Sequence, residues 1–195
     1  MAPDDLTHLL QTRFGESCQA SPPDAWQVDT PDFRLLVLLS ADGNWLRLLM
    51  PIVPIQEVQP FLNQILAANF DQTQEARYAF HQSVLWAVFH HDLASLGRPH
   101  FEAAIDQLLT MKQQGVEPFF NRLIEDQVRQ IITAAKLQGQ SLEATMQTLD
   151  RFYAEGMMGD MKANDGYQQN ALTAWRYQLE RLWPEVDVST EETTE

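Results

Sequence analysis

The sequence predicts an α+β protein: an antiparallel sheet of about five strands packed against helices, with a helical extension on its C-terminal side. Three observations carry that expectation. A β-hairpin is written into residues 33 to 50, where two apolar runs flank an Asp42-Gly43 reversal. From the start of the chain to Gly115, helical and strand-like segments run in the order helix, about three strands including the hairpin, helix, two strands, helix. After Gly115 the pattern changes, and only helical periodicities remain.

Residues 3 to 14 open with Pro3, Asp4 and Asp5, which suit a helix N-terminus, and place Leu6, Leu9, Leu10 and Phe14 on one face. Ser21 to Asp24 breaks the chain, and Trp26 to Val28 gives a first short strand before a second break at Thr30 to Asp32. The hairpin comes next. Phe33, Leu35, Val37 and Leu39 share one face of its first strand, and Leu36 and Leu38 the other. In the second strand Leu46, Leu48 and Met50 share a face, with Trp45 and Leu49 opposite. Both faces are therefore apolar. A sheet with one solvated face alternates apolar and polar residues, so something must cover the second one.

A helix starts near Pro60, with Phe61, Leu62, Ile65 and Leu66 as its buried stripe and Asn69 as its cap. Residues 76 to 90 return to strand: Tyr78 and Phe80 lie on one side, while Val84 to Phe89 is apolar throughout and reads as an interior strand. Gln82 and Ser83 mark the turn without a glycine. Beyond Pro99, Phe101, Ile105, Leu108 and Leu109 define a helix that ends near Gly115. A long amphipathic stripe from Phe119 to Ala135 follows, then a break at Gly139 to Ser141 and a second stripe from Met146 to Tyr153. Gly156 to Lys162 reads as a loop whose Met157, Met158 and Met161 either pack inward or form an adaptable binding surface, and Leu172, Trp175, Leu179 and Leu182 as a last helix ending before Pro184. The domain reading is residues 1–115 as an α+β domain, 116–184 as a helical extension and 185–195 as a disordered acidic tail.

Composition narrows the functional classes. Hydrophobic residues make up 45% and charged residues 21% of the 195 residues, as in a soluble globular protein. The net charge is −14, and the chain is acidic even without Glu185, Asp187, Glu191, Glu192 and Glu195 of the tail. Such a surface repels phosphate backbones and anionic lipid, so no nucleic-acid partner is expected. Asp42, Asn44 and Arg47 interrupt the hairpin long before the ~20 apolar residues of a membrane span, so no membrane insertion is expected either. Cys18 is the one cysteine, and the start of the chain lacks an apolar segment of signal-peptide length. A cytoplasmic protein is expected.

Phosphate-binding glycine motifs are missing, and neither Cys18 nor Ser83 has a recognisable base. His81, His90, His91 and His100 raise a metal reading, but neighbours on a strand point to opposite faces, so His90 and His91 do not chelate one ion while extended. The expectation is no catalytic residue, no metal and no cofactor. What remains is the outer face of the hairpin: Leu36, Leu38, Trp45 and Leu49, edged by Arg34 and Arg47, as a partner-binding patch. Its two candidate occupants are the chain's own C-terminal helices and another protein.

An ordered set of motifs adds to this. A helix ending Ala68, Asn69, Phe70, a small polar turn, a strand pair from Tyr78 to Phe89, the stretch Asp92 to Leu96 and an amphipathic helix from about Phe101 resemble the single-domain chaperones of type III secretion, the Tir-chaperone-like family, including its chaperone-like members in cyanobacteria. The resemblance covers about residues 4 to 115. It implies an α+β fold, usually homodimeric, that binds a segment of a client protein along apolar patches without catalysis or ATP. The 70 or so residues beyond it depart from those small chaperones. The expected function is thus a non-enzymatic chaperone or adaptor that stabilises a specific client, during assembly of a larger complex. The alternative is a small-molecule sensor or enzyme with a pocket between sheet and C-terminal helices, drawing on His90 or His91.

Overall fold

The computed structural model describes residues 1–21, 24–154 and 165–188. The methionine loop and most of the acidic tail expected from the sequence lie outside the described residues. Two compact units divide the chain, Met1–Phe120 and Asn121–Glu195.

The first unit is α+β. Helix α1 (Pro3–Phe14) precedes four strands, β1 (Cys18–Ser21), β2 (Ala25–Asp29), β3 (Arg34–Leu39) and β4 (Trp45–Pro54). Helix α2 (Leu62–Asp71), strands β5 (Arg77–His81) and β6 (Val84–Asp92) and helix α3 (Arg98–Gln114) follow. All six strands form one antiparallel sheet in the order β1-β2-β3-β4-β6-β5. The sheet has one strand beyond the expected count. β1, a short edge strand of Cys18, Gln19, Ala20 and Ser21, leaves no hydrophobic alternation to read, because its residues are small or polar and mostly exposed.

The β3–β4 turn is set by Gly43, whose φ of 71° needs no Cβ, and by Ser40, whose hydroxyl accepts the Trp45 N–H. Gln82 and Ser83, with φ of 48° and 62°, give the β5–β6 turn its two left-handed residues without any glycine.

One face of the sheet is sealed. Trp26, Val28, Leu35, Val37, Leu46, Leu48, Met50, Leu85, Ala87 and Phe89 are all buried there. Helix α3 packs against β4 and β6 through Phe101, Ile105 and Leu108. Helix α1 contributes Leu6, Leu9 and Leu10, and its Thr7 hydroxyl accepts a hydrogen bond from the Trp26 indole at 2.9 Å. Each large side chain buried this way contributes roughly 1.5–3 kcal/mol, so this face supplies much of the unit's stability.

Two expectations for α2 are corrected. Leu66 is not in the buried stripe: it is 59% exposed, because the face turned inward carries Phe61, Ile65 and Ala68 instead. Asn69 does not end the helix, which runs on to Asp71. Its side chain pairs with edge strand β5, the amide nitrogen donating to the Tyr78 carbonyl (3.0 Å) and the amide oxygen accepting the Tyr78 N–H (2.8 Å). A single side chain thereby does for the open edge what a neighbouring strand would do.

Helix α4 (Glu117–Leu137) contains the boundary between the units. Its first turn belongs to the first unit, where the Phe119 ring meets Tyr78 edge-on at 5.1 Å. The second unit continues with α5 (Leu142–Ala154), α6 (Asp165–Leu182) and one 3-10 turn at Trp183–Glu185. Val128, Ile132, Met146, Leu149, Leu179 and Leu182 form its core. Around it, Glu125 accepts from both Arg129 and Arg181, which hold its carboxyl below the usual glutamate range. Lys136 donates to the carbonyls of Trp183 and Val186 at 2.7 and 2.6 Å, closing the end of the last helix. Among the described residues no helix is long and apolar enough to cross a membrane.

Candidate functional site

The site is built by strand alternation. Every second residue of β3, β4 and β6 goes to the sealed face, which sends the residues between them to the other side. The register then aligns Leu36 with Leu49 and Leu49 with Val88, an apolar row across three adjacent strands. A second row aligns Leu38, Arg47 and His90, and a third pairs Trp86 with Ala79. Together they line an open groove of about 440 Å³, and every residue lining it belongs to the first unit. Leu36, Leu38, Leu49, Trp86 and Val88 are each partly exposed, whereas their neighbours in sequence are buried.

Polar side chains are few, and Arg47 carries the one fixed charge among those lining the groove. Among the described residues no carboxylate pairs with the Arg47 guanidinium, although the chain as a whole is acidic. Burial, and then the adjacent Arg47 charge, push the His90 imidazole below its ordinary range, so it stands neutral beside the arginine at neutral pH. His81 and Gln82 close the β5 end. The Trp86 indole donates to the His81 carbonyl at 3.0 Å, which fixes the ring across that end. The surface is thus an apolar groove that carries one fixed positive charge, that of Arg47.

Of the six residues marked by the sequence, Leu36, Leu38, Arg47 and Leu49 line this groove. Arg34 lies on the same face at its rim, its Nε 2.5 Å from Asp29, whose carboxyl it holds below the usual aspartate range. Trp45 is also on this face, 53% exposed opposite Asp92, and outside the groove itself. His90 enters the sequence reading only through the metal and small-molecule alternatives, and Trp86 and Val88 are not among the six. Their signal is the same period of two inside the apolar run from Val84 to Phe89, but using it requires knowing that β6 lies beside β4.

His90 and His91 diverge, as neighbours on a strand should: His90 enters the groove, and His91 turns to the opposite side, its ring centroid 4.8 Å from that of His100. Burial raises the Cys18 thiol, which keeps it protonated and poorly nucleophilic.

No protein-family model and no curated protein matches the sequence. Among solved structures, the chain is similar to one from the HopA1–SchA chaperone–effector complex, with 14% identity over 59% of this chain and 90% of that one, TM-score 0.45. It is similar to one from the ExsC–ExsE complex, with 18% identity over 57% and 93%, TM-score 0.46. A third is from the Yersinia pestis type III secretion chaperone SycH in complex with a stable fragment of YscM2, with 14% identity over 58% and 98%, TM-score 0.45. The likeness is one of fold, at low sequence identity, over somewhat less than three fifths of the chain.

Proposed function

We propose that this protein is a non-enzymatic chaperone or adaptor that binds and stabilises a specific client protein, taking an apolar, acid-bearing segment of the client into the groove on the outer face of its sheet. The observation that carries the reading is the row Leu36, Leu49 and Val88, left partly open beside an arginine that has no carboxylate partner among the described residues. A sheet face this apolar is costly to leave in water, and contiguous exposed apolar surface marks interaction sites. The fixed charge gives orientation to a contact that hydrophobic burial alone would leave unspecific. The sequence resemblance of residues 4 to 115 to secretion chaperones implies the same class of activity.

The test has two stages. The tagged full chain is recovered from its native cell after cross-linking, and each stoichiometric partner is then produced and titrated against the purified chain. Leu49→Asp and Leu36→Asp are expected to weaken that binding at least about tenfold, as truncation of central contact residues does, while far-ultraviolet circular dichroism stays unchanged. Arg47→Ala should weaken it less and reduce its salt dependence. If both aspartate variants bind the partner as the unaltered chain does, the groove is not the client site.

A further inference from the structure

Away from the groove, three segments meet at the opposite side of the sheet. Glu75 lies in the turn before β5, His91 near the end of β6 and His100 in the first turn of α3. One ligand atom from each, an imidazole nitrogen or a carboxylate oxygen, lies within 4.8 Å of the others. We propose that Glu75, His91 and His100 form a binding site for a divalent transition-metal ion of the zinc class.

The two rings are positioned by buried structure. Phe89 is fully buried, His91 stacks on it at 5.7 Å with planes 11° apart, and His100 meets it edge-on at the same distance. His91 Nδ1 lies 2.7 Å from the Asp92 carbonyl oxygen. A carbonyl only accepts, so Nδ1 of the neutral ring carries the proton and the lone pair rests on Nε2. Metal-bound histidines share this arrangement, in which a backbone or carboxylate acceptor fixes the tautomer. His100 Nε2 and the Glu75 carboxylate are already in direct contact, so two of the three donor groups stand side by side in the fold.

The donor set selects the ion. Two imidazoles and one carboxylate, without a thiolate, suit zinc and its first-row neighbours and are poor for calcium or magnesium, which take oxygen ligands. Zinc–ligand bonds of about 2.0–2.1 Å in a tetrahedron place the ligand atoms about 3.4 Å apart. The triad reaches that spacing by small rotations of Glu75, which is exposed, and His100, which is partly so. The ion would tie the start of β5, the end of β6 and the start of α3 together, and so stabilise the folded chain by mass action.

The full chain, stripped of metal by a chelator, is titrated with Zn²⁺ by calorimetry and with Co²⁺ by visible absorption. One equivalent of each is expected to bind, with a Co²⁺ band in the visible and a higher Tm with Zn²⁺. His100→Ala and Glu75→Gln should each weaken Zn²⁺ binding at least about tenfold, whereas His90→Ala, on the other face, should leave it unchanged. Glu75 is exposed, so its variant keeps the test open if a histidine variant fails to fold. The proposal is overturned if Zn²⁺ shows no saturable binding up to millimolar concentration. It is equally overturned if binding persists undiminished in both His100→Ala and Glu75→Gln, which would place the ion elsewhere on the acidic surface.

Discussion

The two faces of the sheet come from the same apolar runs and meet opposite fates. On one, Leu35, Val37, Leu46, Leu48 and Phe89 lie under α1 and α3 with almost no exposure. On the other, Leu36, Leu38, Leu49 and Val88, one residue away in each case, stay partly exposed beside Arg47. Hydrophobicity alone does not distinguish them. What distinguishes them is which residues have helices to cover them within the first unit, and where a positive charge stands. Apolar surface that stabilises the fold is sealed; the surface proposed to bind a client is open and carries the Arg47 charge.

Breaking each face should separate these roles. The largest effect is expected from Leu48→Asp: an unpartnered carboxylate in the sealed face costs at least about 4 kcal/mol, near the whole stability of many domains. The purified variant should be largely unfolded by circular dichroism. Leu49→Asp, its neighbour, should leave Tm within a few degrees while abolishing client binding. A milder pair sharpens the contrast: Leu48→Ala should cost about 2–5 kcal/mol by chemical denaturation, and Leu49→Ala well under half of that, because Leu49 is already partly in water.

Next in size is the sheet edge. Asn69→Ala removes both bonds to the Tyr78 backbone and leaves a partly buried N–H and carbonyl without partners. A loss of about 1–3 kcal/mol is expected in urea unfolding, with faster amide exchange at Tyr78. Asn69→Asp keeps the acceptor for the Tyr78 N–H but sets a second oxygen against the Tyr78 carbonyl, so it should not restore the lost stability.

The smallest effect concerns His90. Its folded-state pKa lies below the ordinary value of 6.5, from burial first and Arg47 second. Below that ordinary value the unfolded chain takes up the proton before the folded one does, so the share of stability owed to neutral His90 is present at higher pH and is lost as pH falls through this range. His90→Gln should therefore narrow the difference in Tm between neutral and mildly acidic buffer. An unchanged difference would mean that His90 titrates alike in both states.

The period of two made much of this legible. Leu36, Leu38 and Leu49 could be assigned to one face from the hairpin alone, because the turn at Gly43 sets the register and the register sets the faces. Trp86 and Val88 could not be joined to them, since no local signal says that β6 pairs with β4 across the intervening helix and edge strand. β1 escaped notice because an exposed strand of small and polar residues leaves no hydrophobic trace. Asn69 looked like a helix cap because its residue type favours helix ends; its real partner is a backbone amide nine residues further along, which propensity does not encode. The meeting of His91 with His100 and Glu75 is tertiary in the same sense. Sequence neighbours rightly excluded a His90–His91 chelate, and the partners of His91 come from a turn and a helix that only folding brings near.

The central claim is that the outer face, rather than exposed apolar surface in general, receives a client. Site-specific photo-cross-linking in the native cell tests it most directly, with a photoreactive phenylalanine at position 49 in one variant and at the exposed α3 position Gln113 in another. One dominant adduct is expected from position 49, with a polypeptide other than this chain, that is lost when Leu36→Asp is added, and no such adduct from position 113. An adduct formed equally from both positions, one that survives Leu36→Asp, or cross-links from position 49 only to the chain's own C-terminal helices or to a second copy, would contradict it.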